Sequence, residues 1–229
     1  MRTPRVLIIA GSDSGGGAGI QADIKTVTML GGHAMTAITA VTAQNTLGVQ
    51  GVMPVPAEMV MAQIDSVADD IGIDAVKIGM VGSVETANAV ADRLETLDAP
   101  VVFDPVMVAT SGAALADDPT IAVFERLMRL ATVATPNRLE LEVLAGMSIT
   151  KRTDRDRAVE KVMDRTNCRA VLAKGGHAFG HDDDDVEDWL YTSDCTESHW
   201  TGSRIATCHT HGTGCTLASA IATGLGQGL

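Results

Sequence analysis

The chain has 229 residues, of which 45% are hydrophobic and 20% charged, and its formal net charge at pH 7 is −12. This length and composition are typical of one globular domain with a well-buried core. The negative charge excludes the concentrated basic patch of a nucleic-acid-binding protein, and no stretch approaches the run of about 18 apolar residues that a membrane span needs. The first apolar run, residues 6–10, is too short for a signal peptide, so we expect a cytoplasmic protein with reduced cysteines.

Strands and helices alternate along the first half of the chain. Residues 6–10 predict a buried strand that leads into a glycine-rich loop over residues 11–19, and the spacing of Ile20, Ile24 and Val27 predicts the helix that follows. Further predicted elements are a strand over residues 34–43, a short β excursion over 46–55, a helix from Pro56, a strand over 75–79 and a helix capped by Ser83 that ends near Leu97.

The second half continues the alternation and ends in a glycine-rich turn before a last helix. The acidic run over residues 182–185 predicts a solvated loop tip, because the spacing of a calcium-binding loop is absent. The pattern predicts a single domain over residues 1–229, with a three-layer α/β/α fold and a mostly parallel central sheet. The predicted elements are strands over residues 100–103, 131–134 and 170–173, helices over 119–130, 138–144 and 153–165, and antiparallel edge strands over 186–191 and 198–205.

Polar and glycine-rich residues follow almost every predicted strand. In a parallel α/β sheet the carboxyl ends of the strands meet at one edge, and ligands bind there. The sequence therefore predicts an active site at this edge, formed by Gly11, Gln44, Lys77, Asp104, Asn137, Glu140, Lys174 and residues 212–215.

The turn over residues 212–215 (Gly-Thr-Gly-Cys) precedes the last predicted helix. Amide groups at a helix N-terminus bind phosphate without a basic side chain, so Gly212, Thr213, Gly214 and Cys215 are predicted to form an anion hole. A tight turn before a core helix explains the same pattern. At a helix N-terminus the pKa of the Cys215 thiol is expected to fall.

Each of the other charged candidates also has a purely structural explanation. The two glycines after Lys174 let a ligand approach, which favours a phosphate-steering cation over a solvated turn lysine. Asp104 either holds Mg²⁺ or caps the next turn. Asn137 and Glu140 have the spacing of a plain capping box, and equally that of a pair that orders Mg²⁺ through water.

A flat heteroaromatic ring would suit the uncharged candidates. The amide of Gln44 can donate and accept at once, as the nitrogen edge of such a ring requires, although a loop glutamine also bonds to its own backbone. Met80 and Met107 either wall the ring or pack in the core.

Two common nucleotide-binding motifs are disfavoured or absent. Residues 17–22 match the dinucleotide fingerprint G-x-G-x-x-A, but the second predicted strand ends in Gln44 and Asn45 instead of an acid for the ribose. No Walker P-loop sequence occurs in the chain.

Seven strings of this sequence resemble, in order, those of the hydroxymethylpyrimidine/phosphomethylpyrimidine kinases of thiamin biosynthesis, within the ribokinase-like superfamily. They span the whole chain, and the first and last are the most specific. The resemblance implies a ribokinase-like fold and ATP- and Mg²⁺-dependent phosphorylation of 4-amino-5-hydroxymethyl-2-methylpyrimidine and then of its monophosphate. The strings are AGSDSGGGAGIQAD (10–23), TAVTAQNT (39–46), KIGM (77–80), DPVMVATSG (104–112), TPN with Glu140 (135–140), KGGH (174–177) and HGTGCT (211–216).

The resemblance also implies a role for each matching residue. Cys215 is implied to be either a proton acceptor or only a lining residue of the anion hole that Gly212, Thr213 and Gly214 complete. The other implied roles are pyrimidine recognition by Gln44, ring contacts from Gly11, Asp23, Met80, Val106 and Met107, ATP contacts from Lys174, Asn137 and Thr213, and Mg²⁺ binding by Asp104 and Glu140.

Three expectations complete the resemblance. Cys215 stands where most ribokinase-like sugar kinases have an aspartate base, and some related pyridoxal kinases share the cysteine, so phosphorylation of pyridoxal is the nearest alternative. A pyrimidine-binding regulator without catalysis is a second alternative. The family usually forms homodimers and continues with further helices beyond the position of Leu229, so part of the adenine site is expected in that C-terminal part.

Overall fold

The computed structural model describes residues 2–108, 112, 115–176, 185–207 and 209–229. These residues form nine strands and seven helices. The strands are β1 (Arg5–Asp13), β2 (His33–Asn45), β3 (Gly48–Pro54), β4 (Ala75–Ile78), β5 (Val101–Phe103), β6 (Val133–Ala134), β7 (Ala170–Ala173), β8 (Asp185–Thr192) and β9 (Glu197–Ser203). The helices are α1 (Gly19–Met29), α2 (Ala57–Asp70), α3 (Val84–Leu94), α4 (Asp118–Leu130), α5 (Arg138–Ala145), α6 (Arg152–Thr166) and α7 (Thr213–Gly226).

All nine of these strands belong to one sheet, in the order β3-β2-β1-β4-β5-β6-β7-β8-β9. The strands from β2 to β7 in this order pair in parallel. The edge strands β3, β8 and β9 are antiparallel to their neighbours. The mostly parallel sheet with antiparallel edges that the sequence predicts is confirmed.

Side chains alternate between the two faces along each strand, so apolar side chains of the sheet point to both faces. Helices cover both of these faces. On one face Val6 and Ile8 of β1 pack in a small cluster with Ile20 of α1 and Ala218 of α7. The next residues along β1, such as Leu7, point to the other face and into the main core, which α2 to α6 cover. The sheet is therefore the middle layer of an α/β/α sandwich.

Local capping explains why several helices begin and end where the sequence predicts. The Ser83 hydroxyl accepts the Thr86 amide at the start of α3. Gly146 closes α5 in the left-handed conformation, with φ of 60°, which a glycine adopts without strain.

Several element boundaries differ from the sequence prediction by one to three residues, and two of the differences affect the site. β1 continues through residues 11–13, which were predicted as loop, because Ser12 and Asp13 pair with Val41 and Thr42 of β2. The last helix begins at Thr213, so most of the predicted turn over residues 212–215 is the first turn of α7.

The predicted loop at Thr110 and Ser111, residues 182–184 of the acidic run, and Cys208 lie outside the described residues. Within the ranges given above, no helix combines the length and the apolarity required to cross a bilayer.

Candidate active site

A cavity of about 560 Å³ opens at the carboxyl ends of the parallel strands. Its walls come mainly from residues in or just after the carboxyl ends of β1, β2, β4, β5, β6 and β7 and from the first turn of α7. It brings together all the sequence-predicted site residues except Asp23, namely Gly11, Gln44, Met80, Asp104, Val106, Met107, Asn137, Glu140, Lys174, Gly212, Thr213, Gly214 and Cys215.

One end of the cavity is apolar and carries a single amide side chain. A Cβ atom added to Gly11 would lie 3.1 Å from Met80 Sδ, so only a glycine leaves this wall flat. The Thr42 hydroxyl lies 3.1 Å from Gln44 Oε1 and 2.9 Å from the Ser12 carbonyl oxygen, and these contacts fix the Gln44 amide. Thr42 was not predicted as a site residue. The available signal was its place in the alternation of polar and apolar residues along β2.

The other end of the cavity holds a charged cluster. Lys174 Nζ lies 2.8 Å from Asp104 Oδ1 and 3.9 Å from Glu140 Oε2. The Thr135 hydroxyl donates to the same Asp104 oxygen at 3.1 Å. A Cβ atom added to Gly214 would lie 3.3 Å from Lys174 Nζ, so the first turn of α7 is directly beside the ammonium group.

The two carboxyl groups of this cluster have pKa values displaced in opposite directions. Burial alone would raise the pKa of Asp104, but the ammonium groups of Lys174 and Lys77 outweigh it and lower the pKa. Burial raises the pKa of Glu140 to about 7, because the opposing effect of Lys174 is weaker there. Asp104 is therefore ionised at neutral pH, whereas Glu140 is near the midpoint of its titration.

Asn137 and Glu140 form the capping box at the start of α5. The Asn137 side chain accepts the Glu140 amide at 3.0 Å, and Glu140 Oε2 accepts the Asn137 amide at 2.7 Å. The predicted capping box is therefore confirmed. Glu140 also lines the cavity, which is compatible with a role in binding Mg²⁺, and that role stays a prediction.

The N-terminus of α7 offers fewer amides than the sequence predicts. Both the amide and the hydroxyl of Thr213 donate to the Thr210 carbonyl, at 3.3 and 3.0 Å, so Thr213 closes the turn and presents no donor to a ligand. The amides of Gly214 and Cys215 have no acceptor among the described residues. They lie at the positive end of the helix dipole, so their predicted role as an anion site stays a prediction.

The expected fall in the pKa of Cys215 is wrong. Burial raises the pKa of this thiol, and the nearby ammonium group of Lys77 lowers it by less. The first turn of a helix favours a thiolate, but here the desolvation of the sulfur outweighs that effect.

Asp23 does not reach the cavity, which corrects its implied contact with the ring. Its side chain is completely buried, and both of its oxygens accept from Lys77 Nζ, at 3.0 and 2.9 Å. The Ser219 hydroxyl of α7 donates to Asp23 at 2.7 Å. The signal for this ion pair was a lysine inside the otherwise apolar strand β4 (Ala-Val-Lys-Ile).

The sequence analysis also missed a contact between Asp13 and His211. His211 Nε2 lies 2.9 Å from Asp13 Oδ2, although the two residues are 198 positions apart. Asp13 is only 2% exposed. Its position between a strand and a glycine-rich segment was the available signal.

Comparisons with known proteins place this geometry in a family. The family model described as phosphomethylpyrimidine kinase matches residues 13–229. A hydroxymethylpyrimidine/phosphomethylpyrimidine kinase of Streptomyces coelicolor is 51% identical over 227 residues, which cover 98% of this chain and 82% of that protein.

Two solved structures are similar over the whole chain. The phosphomethylpyrimidine kinase of Clostridium difficile has a TM-score of 0.83 and 36% identity, with 92% of that chain covered. The pyridoxal kinase of Staphylococcus aureus in complex with AMP-PCP and pyridoxal has a TM-score of 0.89 and 32% identity, with 82% of that chain covered. From the family match, the identity and the shared fold, we conclude that this chain belongs to the phosphomethylpyrimidine kinase family.

Proposed function

We propose that this protein transfers a phosphoryl group from ATP to 4-amino-5-hydroxymethyl-2-methylpyrimidine, and then a second one to the resulting monophosphate, in thiamin biosynthesis. The observation that carries the proposal is a single cavity that joins an apolar, amide-bearing end to a charged end, where Lys174 lies beside the N-terminus of α7. The name of the Streptomyces relative states the same two kinase activities.

The apolar end binds and orients the pyrimidine. The amide of Gln44 can pair with a ring nitrogen and the neighbouring amino group, because it carries both a donor and an acceptor. Met80 and Met107 supply polarizable side chains against the ring faces. The hydroxymethyl group then points along the cavity towards Lys174.

The charged end of the cavity neutralises negative charge on the phosphoryl group during the transfer. Phosphoryl transfer depends mainly on positioning and on stabilisation of charge on the transferred group. The Lys174 ammonium is held by Asp104, and the amides of Gly214 and Cys215 lie beside it. Loss of one preorganised donor of this kind typically lowers kcat by about 10²–10³-fold.

The Cys215 sulfur accepts the proton of the substrate hydroxyl. Among the side chains of the first turn of α7 it is the one that is titratable, and it is half-buried in the wall of the cavity. Its raised pKa makes the thiolate a minor form at neutral pH. The same raised pKa makes this thiolate a stronger base than an ordinary cysteine thiolate.

Mg²⁺ fits the site as a companion of the nucleotide. Within the described part of the chain no three or more His, Cys, Asp or Glu side chains are grouped closely enough to hold a metal by themselves. Mg²⁺ usually keeps several waters and needs only one or two carboxylates besides substrate phosphates. Asp104 and Glu140 would supply those carboxylates, and the ion would neutralise phosphate charge.

The family expectation of a homodimer is part of the proposal. Leu47 and Met53, at and beside the β2–β3 hairpin, are 87% and 63% exposed, which is the surface character expected of a subunit contact. Light scattering should give twice the chain mass of 23.8 kDa, and a monomer at micromolar concentration would contradict this expectation.

The function is tested by ADP release over a panel of ring alcohols. We expect kcat/KM for the hydroxymethylpyrimidine to exceed that for pyridoxal by about 10²-fold, because the Gln44 amide loses hydrogen-bond partners with the wrong ring. A Lys174→Met variant reports any contaminating kinase. The reverse preference would identify a pyridoxal kinase, and absence of all turnover would favour a pyrimidine-binding regulator.

A further inference from the structure

The glycine-rich segment after β1 encloses a carboxylate of the protein itself. Asp13 Oδ1 accepts the Gly15 amide at 2.8 Å, and Oδ2 accepts the amides of Gly17 and Ala18 at 3.0 and 2.8 Å. Successive amides that converge in this way form an anion-binding concavity. Because Asp13 fills it, these three amides are not available to a nucleotide phosphate.

The same carboxylate contacts the segment that leads into α7. Asp13 Oδ2 lies 2.9 Å from His211 Nε2, and His211 directly precedes Gly212, the N-cap of α7. A Cβ atom on Gly17 would lie 2.6 Å from His211 Cδ2, and one on Gly212 would lie 1.8 Å from the Gly17 carbonyl oxygen. The two segments therefore pack against each other without room for a further side chain.

The Asp13 side of this contact is held independently of α7. Gln21 Oε1 accepts the Asp13 amide at 2.8 Å, and Gln21 Nε2 donates to Ser12 at 2.8 Å. Lys25 Nζ donates to the Gly16 carbonyl at 2.7 Å. On the α7 side, His211 makes the side-chain contact that crosses between the segments.

We propose that His211 is a positioning residue for phosphoryl transfer. Through Asp13 it fixes the N-terminus of α7 against the glycine-rich segment, so that the amides of Gly214 and Cys215 keep their direction towards the transferred group. This inference rests on the proposed kinase function for its catalytic consequence. Its structural part, the fixed start of α7, is independent of the substrate.

Loss of His211 should leave the fold intact. Asp13 keeps three amide donors without the histidine, so no buried carboxylate is left unpaired. The His211 side chain itself is 17% exposed. The variant His211→Leu therefore separates the position of α7 from global stability.

The kinetic experiment compares three variants with the wild type. His211→Leu should lower kcat by about 10-fold or more with both KM values nearly unchanged, since small displacements of catalytic groups can cost up to about 10²-fold. His211→Gln should recover most of kcat, because its amide nitrogen can occupy the position of the ring Nε2. His33→Leu, an exposed histidine at the start of β2, should match the wild type.

A second measurement does not depend on turnover. The amides of Thr213 and Thr216 donate to the carbonyl oxygens of Thr210 and Gly212. Hydrogen exchange of these two amides should become about tenfold faster in His211→Leu and stay slow in His211→Gln, while exchange in β4 is unchanged. This result would support the role of the Asp13–His211 contact in fixing the start of α7, even if the wild type phosphorylated no pyrimidine. Unchanged exchange, an unchanged kcat, a raised KM for ATP alone, or failure of His211→Gln to restore kcat would each overturn the proposal.

Discussion

Cys215 shows how one residue can be located by sequence and still be misjudged electrostatically. Its place after a glycine turn was correctly read as the start of a helix, where a thiol usually becomes more acidic. In the structure the thiol is half-buried and surrounded by protein atoms, and this desolvation raises its pKa. A sequence motif reports neighbours along the chain, whereas desolvation depends on every element packed around the atom.

A pH profile tests whether Cys215 accepts the substrate proton. Since its pKa is raised, the thiolate fraction should grow as the pH rises from 7 to 9. The ratio of wild-type kcat to that of Cys215→Ala should therefore increase over this range, from a loss of about 10²-fold at pH 7. A ratio that stays constant with pH would show that the thiol only lines the anion site.

The titration of Glu140 should appear in the stability of the protein. Its pKa is raised by burial to about 7, so the native state binds its proton more tightly than the unfolded chain does. The native state is then progressively destabilised as the pH rises from about 4.5 to 7.

The variant Glu140→Gln removes this ionisation and keeps an acceptor for the Asn137 amide. Relative to the wild type, its Tm should be higher at pH 8 than at pH 5 by at least about 2–4 °C, the shift that 1 kcal/mol produces in a domain of this size. Scanning calorimetry at both pH values measures the difference. The same Tm difference at the two pH values would contradict a raised pKa.

At the scale of elements, the turn into α7 is the most constrained connection at the site. Gly212 has φ of 80°, and its missing side chain lets the Gly17 carbonyl oxygen approach. Both properties follow from the packing of two segments far apart in the sequence. The sequence predicted a glycine turn that forms an anion hole or a tight turn before a core helix, and the structure has a tightly packed N-cap.

A matched pair of glycines separates strain from contact. Gly31 has φ of 81° and nothing within 4 Å of an added Cβ, so Gly31→Ala should cost only the left-handed strain of about 1–2 kcal/mol and keep full kcat. Gly212→Ala has the same strain and must also displace backbone, so kcat should fall by at least about 10²-fold. Equal effects of the two changes on kcat would contradict the proposed packing.

Element positions could be predicted well where the signal is local. Ser83, Asn137 and Gly146 bound helices by contacts within a few residues, and their positions are confirmed. β1 was predicted too short because its last residues are fixed by pairing with β2, which is about 29 positions away in the register. Pairing of this kind overrides the turn preference of Gly11 and Ser12.

At the scale of the whole molecule, the buried pair of Lys77 and Asp23 joins three elements. Lys77 is on β4, Asp23 on α1, and Ser219 of α7 completes the contact. The carboxylate offsets the cost of burying the ammonium group, so the pKa of Lys77 stays above its ordinary value. Either charge left alone in this position would be strongly unfavourable.

A double-variant comparison tests this interpretation. Lys77→Met alone should lower the free energy of unfolding by about 3–5 kcal/mol, because Asp23 is then buried without a cation. Lys77→Met combined with Asp23→Leu should recover most of that loss. Urea unfolding measures both, and additive losses from the two single changes would contradict the coupling.

Local signals in the sequence were sufficient to predict the order of the elements, the class of the fold and the edge of the sheet that carries the site. These depend on apolar periodicity, on caps and on polar residues at strand ends, which are properties of neighbouring residues. Gly11, Gln44, Asp104 and Lys174 reached the cavity because the ends of parallel strands meet at one edge.

The tertiary structure was needed to establish which charges meet and which hydrogen-bond donors remain for a ligand. It paired Lys77 with Asp23 across 54 positions and Asp13 with His211 across 198, and it turned Thr213 towards Thr210. It also set the pKa of Cys215. Each of these outcomes depends on long-range packing and desolvation, whose energies are absent from any short stretch of sequence.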